Sequence, residues 1–314
     1  MIMMKMTKTY RLLILLAASV LLVCSCRGEK PEDIKPDFAL YARVQSLDYN
    51  GTSIWGTDAD LGVFVTEPGT ITELDENFNI QYSTKFQTYA TLMTPADKAI
   101  TLPEKGKPSD IYVYYPFNPS LHSNGSSKTI YSVDLKDQTN KEPALLLCGK
   151  ETGCNTTINA ATVNLKPVYS KLNVRLKNEY TTKSTLEDIR LNLTNMPWEA
   201  EIDVMTGEYV SYGKSDSSEM IRPLDNVYVY EAILLAHKTS ADAKLVVTFP
   251  KATDIEQKEI KISEIINSFE TNCQYDIEVS VTPDGIKAIL VSMSDFSVSD
   301  WHEDQDDVHG NIKY

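Results

Sequence analysis

The feature that most constrains this 314-residue chain is an alternation of apolar and polar side chains with a period of two. Phe38, Leu40, Ala42 and Val44 interleave with Ala39, Tyr41, Arg43 and Gln45. Leu172, Val174 and Leu176 interleave with Lys171, Asn173, Arg175 and Lys177, and Ile189, Leu191 and Leu193 with Arg190, Asn192 and Thr194. Tyr275, Ile277, Val279 and Val281 alternate with Asp276, Glu278 and Ser280. Successive side chains of a strand point to opposite faces, so each pattern predicts a half-buried antiparallel strand with one apolar and one wet face. Runs rich in β-branched and aromatic residues predict further strands at Leu61–Thr66, Ile111–Phe117, Thr129–Leu135, Asn226–Ala236 and Leu245–Phe249.

Turn chemistry separates these runs: Glu67-Pro68-Gly69, Asn118-Pro119, Ser123-Asn124-Gly125, Met205-Thr206-Gly207 and Thr282-Pro283-Asp284-Gly285. One segment, Ser263–Glu270, reads as a short helix, with Ser263 as its cap, Glu264 in its first turn and Ile265, Ile266 and Phe269 as its apolar stripe. Many short strands with frequent turns predict an all-β chain of antiparallel β-sandwiches. The folded length exceeds what one sandwich needs, so two are expected in tandem, 37–163 and 164–301, with the helix in the second. The join falls near Asn155–Val163, a polar, small-residue stretch.

The first 26 residues predict where the protein resides. Lys5, Lys8 and Arg11 precede the twelve-residue apolar stretch Leu12–Val23, too short to span a bilayer, and Val23-Cys24-Ser25-Cys26 closes it. This arrangement resembles a bacterial lipobox, which makes 1–25 a lipoprotein signal peptide and Cys26 the lipidated first residue. The rival acceptor Cys24 would place bulky Val23 just before the cut. An ordinary secretion signal with incidental cysteines is the plainer reading. The polar, proline-containing segment 26–36 reads as a lipidated tether, since it has too little apolar surface to fold. Its acidic cluster Glu29, Glu32 and Asp33 loosely resembles a surface-export signal, and equally suits a solvated linker.

Without Lys5, Lys8 and Arg11, 27 basic residues face 44 acidic ones, a net charge of −17. Such a surface repels phosphate backbones, and no basic stripe interrupts it, so nucleic acid is not expected as a partner. Cys148, Cys154 and Cys273 leave two readings open: a short-loop bridge between the first pair, or three free and mostly buried thiols. Nucleophile elbows, phosphate-cradling glycine loops and paired metal-ligand motifs are absent from the sequence. His122 and His237 read as surface or packed histidines, and 302–314, with Glu303, Asp304, Asp306 and Asp307, as a solvated acidic tail without the spacing of a calcium loop. No enzyme activity, metal or cofactor is expected. The aromatic run Tyr112–Phe117 could stack on sugars, but its alternation suits a sheet covered on both faces.

Four stretches, taken in order, carry a resemblance. They are Trp55-Gly56-Thr57-Asp58-Ala59-Asp60-Leu61-Gly62-Val63-Phe64, then Asp110-Ile111-Tyr112-Val113-Tyr114-Tyr115-Pro116-Phe117, then Leu165–Val174, and finally Tyr275–Val279 with Phe296–Trp301. Behind a lipobox, this set resembles the fimbrillin family, the lipoprotein subunits of type V pili. Tyr169 and its neighbours stand where that family usually has a histidine.

The resemblance implies two transthyretin-like sandwiches in tandem and a structural role, with other fimbrial subunits as partners, a lipid anchor in the outer membrane and an adhesion ligand on a host or bacterial surface. It also implies assembly by strand exchange after an arginine-specific protease removes the first strand. Here the candidate cleavage site is Arg43, the strand vacated carries Phe38, Leu40, Ala42 and Val44, and the candidate donor is 286–301 with Ile286, Ala288, Leu290, Phe296 and Val298. Arg43 lies inside the first strand, and the next arginine is Arg175, so a cut at Arg43 leaves Val44 behind. Imperfect use of Arg43, a different protease, or an unprocessed lipid-anchored subunit are the three readings this leaves. A surface lipoprotein that binds glycan or a host ligand without polymerising is the alternative function.

Overall fold

The structure, a computed structural model, describes residues 38–44, 59–70, 77–84, 90–103, 106–121, 129–138, 145–178, 189–222, 228–250, 255–282 and 285–296. Cys26 and the segments around it, Trp55, His122, Val298, Trp301 and the tail 302–314 lie outside the described residues.

Among the described residues the chain forms twenty-one strands and no α-helix. In order they are β1 Ala39–Val44, β2 Ala59–Thr66, β3 Ile80–Thr84, β4 Thr91–Leu92, β5 Thr94–Pro95, β6 Ser109–Tyr115 and β7 Ile130–Asp134. β8 Leu147–Cys154, β9 Ala160–Pro167, β10 Tyr169–Asn178, β11 Arg190–Pro197, β12 Glu199–Asp203, β13 Glu208–Tyr212 and β14 Ser215–Glu219 follow. The last are β15 Val229–Leu235, β16 His237–Lys238, β17 Lys244–Pro250, β18 Ile255–Lys261, β19 Ser268–Phe269, β20 Cys273–Thr282 and β21 Gly285–Asp295.

The first sheet has eight strands in the order β4-β1-β9-β8-β6-β2-β3-β5. Its two end strands are separated in sequence by Met93 alone, so the sheet wraps round until its ends nearly meet. Backbone and side chain tie this closure: Met93 N–H donates to Leu40 O at 2.8 Å and Thr84 Oγ1 to Leu92 O at 2.9 Å. Inside lies one core, with Leu40, Val44, Leu61, Val63, Tyr82, Val113 and Val163 among its members.

A second core lies between two four-stranded sheets, β15-β10-β20-β21 and β14-β11-β17-β18. Leu172, Val174, Tyr230 and Ile277 from one meet Leu191, Leu193, Leu245 and Val247 from the other. This face-to-face packing of alternating strands is that of a β-sandwich. A third sheet, β13-β12-β7, adds Val133, Ala200 and Ile202 to the same core. The alternation of β2 and β6 serves both cores: Val63, Val65, Ile111 and Val113 face the first, while Phe64, Tyr112 and Tyr114 face the second.

One expectation is corrected, and of the two readings left open for the cysteines the free thiols hold. Ser263–Glu270 is not a helix: one 3₁₀ turn, Ile262–Glu264, is followed by β19, which pairs with β16. Ile262, Ile266 and Phe269 are buried at helix-like spacing, but no side chain caps the turn. So short a segment cannot offset the cost of helix nucleation, and its last residues are taken up by strand pairing. Cys148 and Cys154 are not bridged; all three described cysteines are free thiols. The pair sits near opposite ends of β8, opposite Tyr114 and Ser109 of β6, and about 17 Å of strand separates them, far beyond disulfide reach.

Candidate functional site

β1 is held along both edges. It runs parallel to β9 over Ala39–Val44, with Leu40 opposite Ala161, Ala42 opposite Val163 and Val44 opposite Leu165. On its other side Tyr41 and Ala42 pair antiparallel with Leu92 and Thr91 of β4. Its alternation sends Phe38, Leu40, Ala42 and Val44 into the first core at 0–2 % exposure, while Arg43 stands exposed beside Asn164. Removing β1 would therefore open a slot with four side-chain positions, a β9 wall and a β4 rim that has no other ladder partner.

β21 is the reverse case. Among the described residues it pairs only with β20, with Ile286, Ala288, Leu290 and Met293 opposite Val281, Val279, Ile277 and Tyr275. Those four partners are core residues, so the β21 row lies on the core face of the sheet. Burial nevertheless fades along it. Ile286 and Ala288 are half-buried, whereas Leu290 is 43 % and Met293 61 % exposed. Ile289 and Val291 are also exposed, which leaves an apolar run on an open edge. Phe296 is fully buried and its N–H donates to Asn272 O at 2.9 Å.

The other three edges of these two four-stranded sheets are guarded in the ways that discourage strand pairing. β14 carries Ser215, Asp216, Ser217, Ser218 and Glu219, with Asp216 ion-paired to Lys136. β18 carries Lys258, Glu259 and Lys261. β15 is capped by Gln138, whose side-chain amide donates to Ile233 O at 2.7 Å and accepts from Ile233 N–H at 2.8 Å. Among the described residues β21 is the least protected of the four: Lys287 is its one charge before Asp295, and the bulge at Val291 its one irregularity.

Sequence reading placed Phe296 in the donor row and missed Met293. A bulge is the reason: between Asp276 and Ile277 the β20 register slips, leaving Val291 as the extra residue of β21. The inserted residue puts Met293, three positions after Leu290, on the same face. No sequence signal marks it, since Ile289–Val291 is apolar without a break. The rows of β1 and β21 belong to different cores and do not meet within one chain.

The aromatic run is structural. Tyr112 and Tyr114 are 4 % and 0 % exposed, so neither offers a ring face to a sugar. His237 lies between Phe269, stacked at 5.6 Å, and Tyr212, edge-on at 6.4 Å. Its Nδ1–H donates to Leu235 O at 2.7 Å, and burial pushes the imidazole below its usual range. Among the described residues, no three His, Cys, Asp or Glu side chains gather to hold a metal ion, and no helix is long and apolar enough to cross a membrane.

Residues 43–301 match the family model for Fimbrillin-like proteins. The chain belongs to the fimbrillin-like family. Solved structures share this fold at low identity. A candidate cell adhesion protein from Bacteroides uniformis is 20 % identical with a TM-score of 0.66, over 82 % of this chain and 98 % of that one. A second, from Bacteroides ovatus, is 18 % identical with a TM-score of 0.63, over 83 % and 98 %. The tip fimbrial protein Mfa3 from Porphyromonas gingivalis, with C-terminal truncation, is 10 % identical with a TM-score of 0.51, over 82 % and 99 %. No curated protein matches the chain.

Proposed function

We propose that this chain is a non-enzymatic subunit of a cell-surface fimbria, exported as an outer-membrane lipoprotein through Cys26 and joined to neighbouring subunits by strand exchange. We read the chain as two transthyretin-like sandwiches in tandem, 37–163 and 164–301, with β9 running across the join and Val133 and Leu135 of the first half packed in the second core. One observation carries the reading: an apolar first strand fills a slot in the first core, and the last strand presents an apolar row at a sheet edge. Strand addition supplies backbone hydrogen bonds and fills side-chain pockets together. Donation from one copy to the next does not close on itself, so it builds a filament. Family membership supports the fimbrial role.

The exposed guanidinium of Arg43 is the point at which an arginine-specific protease would release Phe38, Leu40 and Ala42. The test is the first residue of the protein recovered from cells. Chains beginning at Val44 in sheared filaments, with acylated Cys26 in the membrane fraction, are the expected result. Chains that all retain 38–44 and give no ladder on unheated denaturing gels would sink the polymer reading and favour a lipoprotein that binds a host or bacterial surface ligand singly.

A further inference from the structure

Resting on that strand-exchange reading, we infer that the donor enters the β1 slot in the reverse direction, antiparallel to β9, with Ala288 taking the place of Ala42. Leu290 then takes the place of Leu40, Ile286 that of Val44 and Met293 that of Phe38.

The side-chain sizes select this register. From its C-terminal end β1 offers slots shaped by Val44, Ala42, Leu40 and Phe38, all buried. From its N-terminal end the core-face row of β21 reads Ile286, Ala288, Leu290 and Met293. Reversed, the rows match position by position: branched with branched, alanine with alanine, leucine with leucine, and the adaptable methionine in the phenylalanine slot. Met293 follows Leu290 in this row because Val291 bulges against β20, so the match at the Phe38 slot requires Val291 to bulge against β9 in the same way.

The forward direction fails in each of the three registers that fill three or more slots. With Leu290 at Leu40, Met293 overpacks the Ala42 slot and Ala288 leaves a cavity at Phe38. Overlaying the full rows puts Leu290 into the Ala42 slot, which is completely buried between β9 and β4, and leaves Ala288 in the Leu40 slot. The first is overpacked and the second leaves a cavity. Sliding the donor so that Ala288 meets Ala42 places Ile286 at Leu40 and Leu290 at Val44, with nothing at Phe38. The reversed donor gains antiparallel pairing along the six residues of β9 and exchanges antiparallel for parallel pairing at the two residues of β4. A cut after Arg43 vacates the Phe38, Leu40 and Ala42 slots, those assigned to Met293, Leu290 and Ala288. Ile286 competes with Val44, the new first residue, for the fourth.

Cross-linking tests the register. Leu40 lies opposite Ala161, so Leu290→Cys in one subunit and Ala161→Cys in the next should form a disulfide within the polymer. Ile286→Cys with Ala161→Cys should not. Each single-cysteine chain, carrying the native Cys148, Cys154 and Cys273, is the background control. Full chains are cut with an arginine-specific protease, allowed to assemble and run unheated without reductant. Ladders locked by the 290–161 pair alone support the inference. Ladders locked by 286–161, or by neither pair, overturn it while leaving strand exchange standing. No cleavage, or no ladders from cleaved wild-type protein, overturns both. As a second arm, Ala288→Phe should lower ladder yield at least tenfold with an unchanged melting curve, since Ala288 is only half-buried in its own chain. Undiminished ladders would count against the Ala42 slot.

Discussion

Gly62 and Tyr114 stand opposite each other on β2 and β6, and the tyrosine ring fills the space that a Cβ at position 62 would need. The ring stacks on Phe64 at 5.7 Å. Its hydroxyl donates to Asn79 Oδ1 at 2.7 Å and accepts from Asn118 N–H at 3.0 Å. Two of the stretches that mark the family, Gly62-Val63-Phe64 and Tyr112–Phe117, are thus one packing unit.

Gly62→Ala should therefore destabilise the protein by about 1–3 kcal/mol, the usual cost of overpacking a filled core. Urea denaturation monitored by tyrosine fluorescence measures it. A midpoint equal to that of the wild type would mean that the ring can move aside.

Asp110 pins two turns to β6. Its carboxylate accepts from Gly69 N–H at 3.0 Å and Gly153 N–H at 3.1 Å and is ion-paired to Lys150 at 3.0 Å. Burial works to raise its pKa, but these partners outweigh it and hold it below the ordinary 3.8. A carboxylate depressed by folding contributes stability that is present above the unfolded pKa and lost as pH falls through the folded value. Asp110→Asn should cost about 1–3 kcal/mol at neutral pH and flatten the loss of stability below pH 3.8. Denaturant titrations from pH 7 to pH 2 would show both.

His237 acts in the opposite range. Its folded pKa lies below the ordinary 6.5, and its Nε2 is buried without a hydrogen-bond partner among the described residues. The unfolded chain takes up the proton first, so this group's contribution is complete above pH 6.5 and declines as the pH falls below it. His237→Phe should remove that slope whatever its effect at pH 8. Melting temperatures at half-unit steps between pH 8 and pH 5 test it, and an unchanged slope would mean that another group titrates.

Cys26→Ala should release the protein from the membrane fraction, because the apolar stretch Leu12–Val23 is too short to anchor it as a span. Detergent phase partitioning reads the outcome; full retention would exclude a lipid anchor at this residue.

Much of the first-strand site was legible in the sequence, since burial of alternate residues is a local property of a strand. Phe38, Leu40, Ala42 and Val44 could be assigned to one face from spacing alone, and Arg43 to the other. The donor row was legible only through Leu290. Phe296 interrupts the expected continuation because its backbone is tied to Asn272. Val291 interrupts it because the β20 register slips beside it. Both depend on a partner strand. β8 escaped notice because glycines weaken a strand pattern; Gly149 is there because the backbone of Asn164 passes where its Cβ would be.

By itself, the order of residues determined the all-β class, the positions of ten of the twenty-one strands, the inward row of β1 and the tyrosines of β6, because a period of two and turn chemistry act within a few neighbours. It also carried the motifs of the family. Tertiary structure alone decided that Thr91–Pro95 closes the first sheet, that Gln138 caps β15 and that β21 lies at a sheet edge. Nor could residue order decide that Met293 joins its row. Each of these depends on which distant segment lies alongside, and pairing between strands far apart in the chain leaves no periodic trace in either one.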